Sequence, residues 1–151
     1  MNKNLFRSEF EKLQDIEVPA FGFELMREVL IPDILGKESS QMLYWAGKNL
    51  ARKYPLNSLE EVISFFHCAG WGKLSIVHKK GTEMEFELEG ELIQARFKAK
   101  KEPFFQLEAG FLAQQMEQLN NQITETYEQI KRRANKAVFT VKWDHKDLTN
   151  M

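Results

Sequence analysis

Few side chains in this chain have types and spacings that could do chemistry. Cys68 is the only cysteine, its neighbour is His67, and the remaining histidines are His78 and His145. A thiol beside an imidazole suggests a nucleophile with its base. Consecutive helical residues, however, point about 100° apart, so His67 is turned away and His78 or His145 would have to be brought in by folding. The competing reading is a small buried hydrophobe at a helix end. A structural metal needs clustered donors, and the sequence has no CxxC or HxxxH spacing. No metal and no cofactor are expected.

Glu108 is the second candidate. It lies within "FFQLEAGFLAQQMEQL" (104–119), and a helical wheel sets it between Phe111 and Leu112, close to Phe104. A carboxylate among aromatic rings is a candidate acid or base. Catalysis would need a second positioned group, and the alternative is a residue at the edge of the buried face reaching solvent or an arginine. The alternating Glu83, Glu85, Glu87 and Glu89 resemble a metal comb. Across antiparallel strands their neighbours would include Lys73, Lys79, Arg96 and Lys98, which makes a charge-paired wet face. "AGWGK" (69–73) has the glycines and lysine of a phosphate loop without its spacing, and it stands between helix and strand rather than strand and helix.

Aromatic residues are abundant, with 12 Phe, 3 Trp and 3 Tyr. Trp45, Phe66, Trp71, Phe105 and Phe111, together with Cys68 and Glu108, form the candidate ligand pocket. The same residues read equally as filled core, and sequence does not separate a lined cavity from a packed one.

The elements that must position these groups follow from periodicity. The chain has 151 residues, 43% of them hydrophobic and 28% charged, with a formal net charge of −1. That is one ordinary globular domain. It lacks the basic excess of many nucleic-acid binders, and no nucleic-acid partner is expected. Residues 1–18 read as a flexible arm before a domain at 19–151. The arm has no continuous apolar signal-peptide core, and no run approaches a membrane span. A lone cysteine suits a reducing, cytoplasmic setting.

Phe21, Leu25 and Val29 predict a helix over 20–31, broken by Pro32. Leu43, Ala46, Gly47, Leu50 and Tyr54 predict another over 39–54. "SLEE" (58–61) is a capping box opening a third helix, with Gly70 as its stop. The period then becomes two, and "KLSIVHKK", "TEMEFELE" and "ELIQARFK" read as strands. A fourth helix covers 104–119, and a hairpin of 122–133 with 136–143 closes the chain. Gly110 inside the fourth helix should cost roughly 1 kcal/mol against alanine. Its neighbours Ala109 and Ala113, and the echo Ala46–Gly47 in "AGKNLA", point instead to close helix packing.

"LYWAGKNLARKYPL" (43–56), "FFHCAGWGKLSIV" (65–77), "FFQLEAGFLAQQME" (104–117) and "FTVKW" (139–143) together resemble the YslB-like family, small cytosolic proteins of Gram-positive bacteria. The order of elements also resembles the fold of vinyl-reductase-type sensor domains, haem NO-binding domains and TRAPP subunits. That resemblance implies an α+β fold, with helices on one face of a roughly five-stranded antiparallel sheet. It also implies a small-ligand site. The cysteine cluster of vinyl-reductase-type domains is missing here, so their metal does not carry over. His67 does not match a haem ligand's place in the order, and Cys68 is the only residue that could act as a TRAPP-like acyl anchor. The functional reading is a non-catalytic binding module for a small hydrophobic ligand or a protein partner, acting as a homodimer through helices 20–31 and 39–54. The alternatives are an enzyme using Glu108 or Cys68, or a structural dimeric scaffold.

Overall fold

The computed structural model describes residues 5–148, with side chains through Asp144, so the imidazole of His145 lies outside the described residues. A four-stranded antiparallel sheet forms the base, in the order β1-β2-β4-β3. Its strands are β1 (Lys73–Lys80), β2 (Glu83–Glu89), β3 (Gln122–Lys131) and β4 (Lys136–Leu148). Alternation in β2 sends Met84, Phe86 and Leu88 to one face, where Phe86 sits opposite Phe139 and Met84 opposite Val141 of β4. The helices cover that face. On the other, Glu87 meets Lys131 at 2.8 Å and Lys136 at 3.2 Å, and Glu83 meets Lys142 at 3.9 Å.

The sheet has four strands rather than five because residues 91–98 are not a strand. They lie in α6 (Glu91–Ala99). Ile93, Arg96 and Phe97 are buried, the i, i+3, i+4 spacing of a helix face. Gln94 N–H already returns to the Gly90 carbonyl at 2.9 Å. Arg96 and Lys98 are therefore not cross-strand partners of the glutamates.

Helix α5 (Leu59–Cys68) begins at the capping box, where Ser58 Oγ accepts from Glu61 N–H at 3.2 Å and Glu61 Oε1 accepts from Asn57 N–H at 2.8 Å. Helix α7 (Gln106–Asn120) lies centrally, with Ala109, Phe111, Leu112 and Ala113 all inaccessible to solvent. Helix α4 (Ser39–Lys53) crosses it, fixed at one end by Tyr44, whose hydroxyl donates to Glu125 Oε1 at 2.8 Å and accepts from Thr126 N–H at 3.2 Å. At the other end Gln115 Nε2 donates to the Tyr54 carbonyl at 2.7 Å and Leu56 N–H donates to Gln115 Oε1 at 3.2 Å.

The segment read as an arm contains α1 (Leu5–Leu13). Phe6 is buried against Phe65, ring centres 4.9 Å apart, and Tyr54 Oη donates to Glu9 Oε1 at 2.6 Å.

The helix expected over 20–31 runs further, as α2 (Ala20–Glu24), a π-helical turn (Leu25–Leu30) and α3 (Ile31–Leu35). Pro32 does not break it. Proline is tolerated in the first turn of a helix, where its missing N–H would have no partner, and Pro32 stands in the first turn of α3. The π turn hands the chain over by bonding Ile31 N–H to the Met26 carbonyl. Such turns are rare and concentrate at functional sites.

A charged helical strap over an apolar cleft

Residues 20–35 form a strap with inverted polarity. Its outward positions are apolar: Phe21, Leu25, Met26, Val29 and Leu30 are all exposed. Its inward positions include Glu24, Arg27 and Glu28, spaced i, i+3, i+4 so that they share one face, beside Phe23 and Ile31. A surface helix ordinarily shows the reverse arrangement.

The inward charges meet charges on the body. Arg96 of α6, 2% exposed, donates to Glu24 from both Nε (2.9 Å) and Nη2 (2.8 Å). This is the bidentate fork that guanidinium geometry favours. Arg27 Nε donates to Glu28 Oε2 at 2.9 Å, and Arg27 Nη2 donates to Glu108 Oε1 at 2.8 Å while lying 2.6 Å from Oε2. Lys100 Nζ reaches Glu28 Oε1 at 3.0 Å. Burial pulls the Arg27 guanidinium down, but Glu108 and Glu28 outweigh it and hold its pKa above the ordinary value. Burial pushes the Glu28 carboxyl up, yet the Lys100 hydrogen bond and the charges of Arg27 and Arg96 hold it below the usual range.

The sign of the pH dependence follows. Glu28 has a depressed folded pKa, so its contribution is present above the unfolded carboxylate value and is lost as pH falls through the folded one. Glu28→Gln should therefore be less stable than the parent near neutrality, with the gap closing as pH is lowered into the carboxylate range. Urea melts across that range check this, and a gap that stays constant with pH would contradict it.

Glu108 has no solvent exposure; its Oε2 meets Arg27 Nη2 as an ion-pair contact without hydrogen-bond geometry, and Arg96 Nη1 has no hydrogen-bond partner among the described residues. Nearby, Glu128 of β3 accepts from Phe105 N–H at 2.7 Å and from the Gln106 side chain, holding the start of α7. Burial pushes the Glu128 carboxyl up, and the neighbouring Glu108 charge adds to that.

Between the strap and the body lies a cleft of about 200 Å³. Its wall is nearly all hydrocarbon: Phe23, Met26, Ile31, Leu43, Phe104 and Leu107, with Arg27, Glu28 and Gln106 as the polar members. A second cleft of about 500 Å³ opens under α1, lined by Phe6, Phe10, Phe65 and Cys68 among others. Trp71 lines both.

The residues singled out from the sequence do not come together in one place. Phe66, Trp71 and Phe111 pack together, with Trp71 edge-on to Phe66 at 5.1 Å and to Phe111 at 5.1 Å. Phe66, Phe105 and Phe111 have no exposure and line neither cleft. Cys68 lies at the α1 cleft, and Glu108 lies behind the strap on Arg27. Trp45 is 62% exposed on α4 and belongs to none of these. Its wheel position points away from α7, where Gly47 makes the contact. A Cβ added to Gly47 would run into the Leu107 carbonyl and stand 2.7 Å from Phe111 N, and one added to Gly110 would run into the Tyr44 carbonyl. Ala46 is half-buried at the same crossing, and Ala109 and Ala113 are fully buried.

Sequence reasoning did not find Arg27, Glu24, Glu28 and Arg96. The available signal was the run Glu24–Arg27–Glu28, three charges of both signs on one face of an apolar helix. Among the described residues, no group of three or more His, Cys, Asp or Glu is placed to hold a metal ion, and no helix is long and apolar enough to cross a membrane.

Residues 20–142 match the family described as "Protein of unknown function (DUF2507)". The chain is 55% identical over 145 residues to "Uncharacterized protein YslB" of Bacillus subtilis (strain 168), covering 96% of this chain and 98% of that protein. Its fold is similar to a crystal structure of a vinyl-4-reductase family protein from Methanocaldococcus jannaschii, with a TM-score of 0.66 and 22% identity over 95% of this chain and 98% of that one. The family match spans most of the chain and the relative matches almost end to end, so the chain belongs to the DUF2507 family, the family of YslB.

Proposed function

We propose that this protein is a non-catalytic binding module whose ligand site is the cleft beneath the strap, and that its ligand is a small, neutral, apolar molecule. The observation that carries this reading is the composition of the cleft: a hydrocarbon wall whose charged members, Arg27 and Glu28, are already paired with each other and with Glu108, Arg96 and Lys100. A charged ligand would have to break those pairs, whereas a neutral one needs only apolar burial. The volume of about 200 Å³ is below the roughly 300–1,000 Å³ usual for drug-sized ligands, which selects a compact molecule. Glu108 serves as the buried anchor of the strap rather than as a catalytic acid, since Arg27 engages its carboxylate away from solvent.

The protein acts in the cytosol as a homodimer. The cytosolic setting rests on the single cysteine, and self-association rests on the outward apolar face of the strap and α4. Native mass spectrometry of the protein purified from its host, read beside light scattering, tests the ligand and the dimer. A dimer mass carrying a neutral apolar molecule is expected. A bare chain at monomer mass would contradict the proposal.

A further inference from the structure

We infer that a second copy of this chain docks on the outward face of the strap and closes the cleft, so that ligand binding and dimerisation are thermodynamically linked. This rests on the ligand reading above. The outward face is unusual in size and in kind. Phe21 is 73% exposed and Ile34 71%, and Leu25, Val29 and Leu30 are exposed on the same strap. Together with Met26 these residues expose roughly 700 Å², close to the about 800 Å² per partner of a standard interface. Isolated apolar patches of that extent mark interaction surfaces.

The chemistry of the face narrows the partner. From 20 to 30 every charged residue, Glu24, Arg27 and Glu28, points inward and is paired. The outward positions of this stretch offer no charge for a differently charged partner to recognise. Beyond residue 30 exposed polar groups enter the surface, at Asp33, Lys37, Glu38, Ser40 and Gln41, as in the mixed apolar and polar make-up of an ordinary interface. A broad apolar face is best covered by an equally broad apolar face opposite it. A second copy supplies one, with the self-complementarity of a two-fold contact.

The link to the cleft comes from shared residues. Met26 lines the cleft and is 54% exposed on the outward face, and Leu43 lines it beside the exposed Met42. The cleft wall therefore reaches the docking face, and a partner copy seated there excludes water from its mouth. Whatever the dimer adds to ligand affinity, the ligand adds equally to dimer affinity.

The test uses N-phenyl-1-naphthylamine, a compact neutral fluorophore, with Phe21→Asp and Ile34→Asp as separate variants. Both positions are exposed and line neither cleft, and circular dichroism confirms that each variant is folded. Sedimentation velocity reads the dimer and fluorescence titration reads the cleft. The parent should dimerise at micromolar concentration, and both variants should become monomeric while losing at least about tenfold in probe affinity. A monomeric variant that binds the probe as tightly as the parent overturns the linkage and leaves the ligand reading standing. A parent that dimerises but never binds the probe removes the ligand reading and the linkage with it. A parent that stays monomeric, with or without the probe, overturns the docking surface.

Discussion

Gly110→Ala should destabilise the protein by about 3 kcal/mol, the upper end of the usual overpacking range, although alanine is the better helix former by roughly 1 kcal/mol. The reason is the nature of the obstacle. The added methyl would fall on the Tyr44 carbonyl and 2.8 Å from the Tyr44 carbonyl carbon, both backbone atoms of α4. A flexible side chain could swing aside, but a helix backbone can yield only by moving the helix. Gly47 presents the reciprocal contact, with its added methyl on the Leu107 carbonyl and 2.7 Å from Phe111 N. The two helices thus approach backbone to backbone, each through the other's glycine. Gly47→Ala should cost a similar amount. The double variant should cost less than the sum, because helices already forced apart accommodate the second methyl more easily. Urea melts read all three, and a Gly110→Ala protein at least as stable as the parent would refute the close crossing.

Arg27→Met should cost roughly 3–5 kcal/mol, the usual effect of removing one partner from a buried ion pair. The loss arises less from the missing attraction than from what remains. Glu108 has no solvent exposure, and its only charged hydrogen-bond partner among the described contacts is Arg27. The neighbouring Glu128 worsens its surroundings with a like charge. Adding Glu108→Gln to Arg27→Met should recover most of the loss, since it removes the stranded charge. A double variant as unstable as the single one would mean that the pair is not the strap's anchor.

The parts of this structure that can be read from the sequence are those set by local rules. Ser58 and Glu61 form their capping box because both groups lie within one turn of the helix they open. Met84, Phe86 and Leu88 reveal the buried sheet face because a strand's period is two. Gly47 and Gly110 stand out because glycine in a helix needs a reason.

The misreadings share a different cause. In 91–98 the apolar Leu92, Ile93 and Phe97 are too few to separate the periods, and the pattern alone does not reveal that Arg96 is buried rather than exposed. Its burial depends on Glu24, 72 residues away. The strap fails for the same reason. Phe21, Leu25 and Val29 look like a core stripe, and their inverted orientation is decided by Glu108, 81 residues from Arg27. The site was hidden for that reason: it is an assembly of long-range charge pairs, and no window of sequence contains both halves.

The central claim is that the cleft under the strap, rather than the larger one under α1, holds a neutral apolar ligand. Intermolecular NOEs between bound N-phenyl-1-naphthylamine and methyl-labelled protein test it most directly. The account predicts contacts from the ring protons to the methyls of Met26, Ile31, Leu43 and Leu107, all of which line the strap cleft. Contacts confined to Leu13, Ile16 and Leu50, which line the α1 cleft, would contradict it.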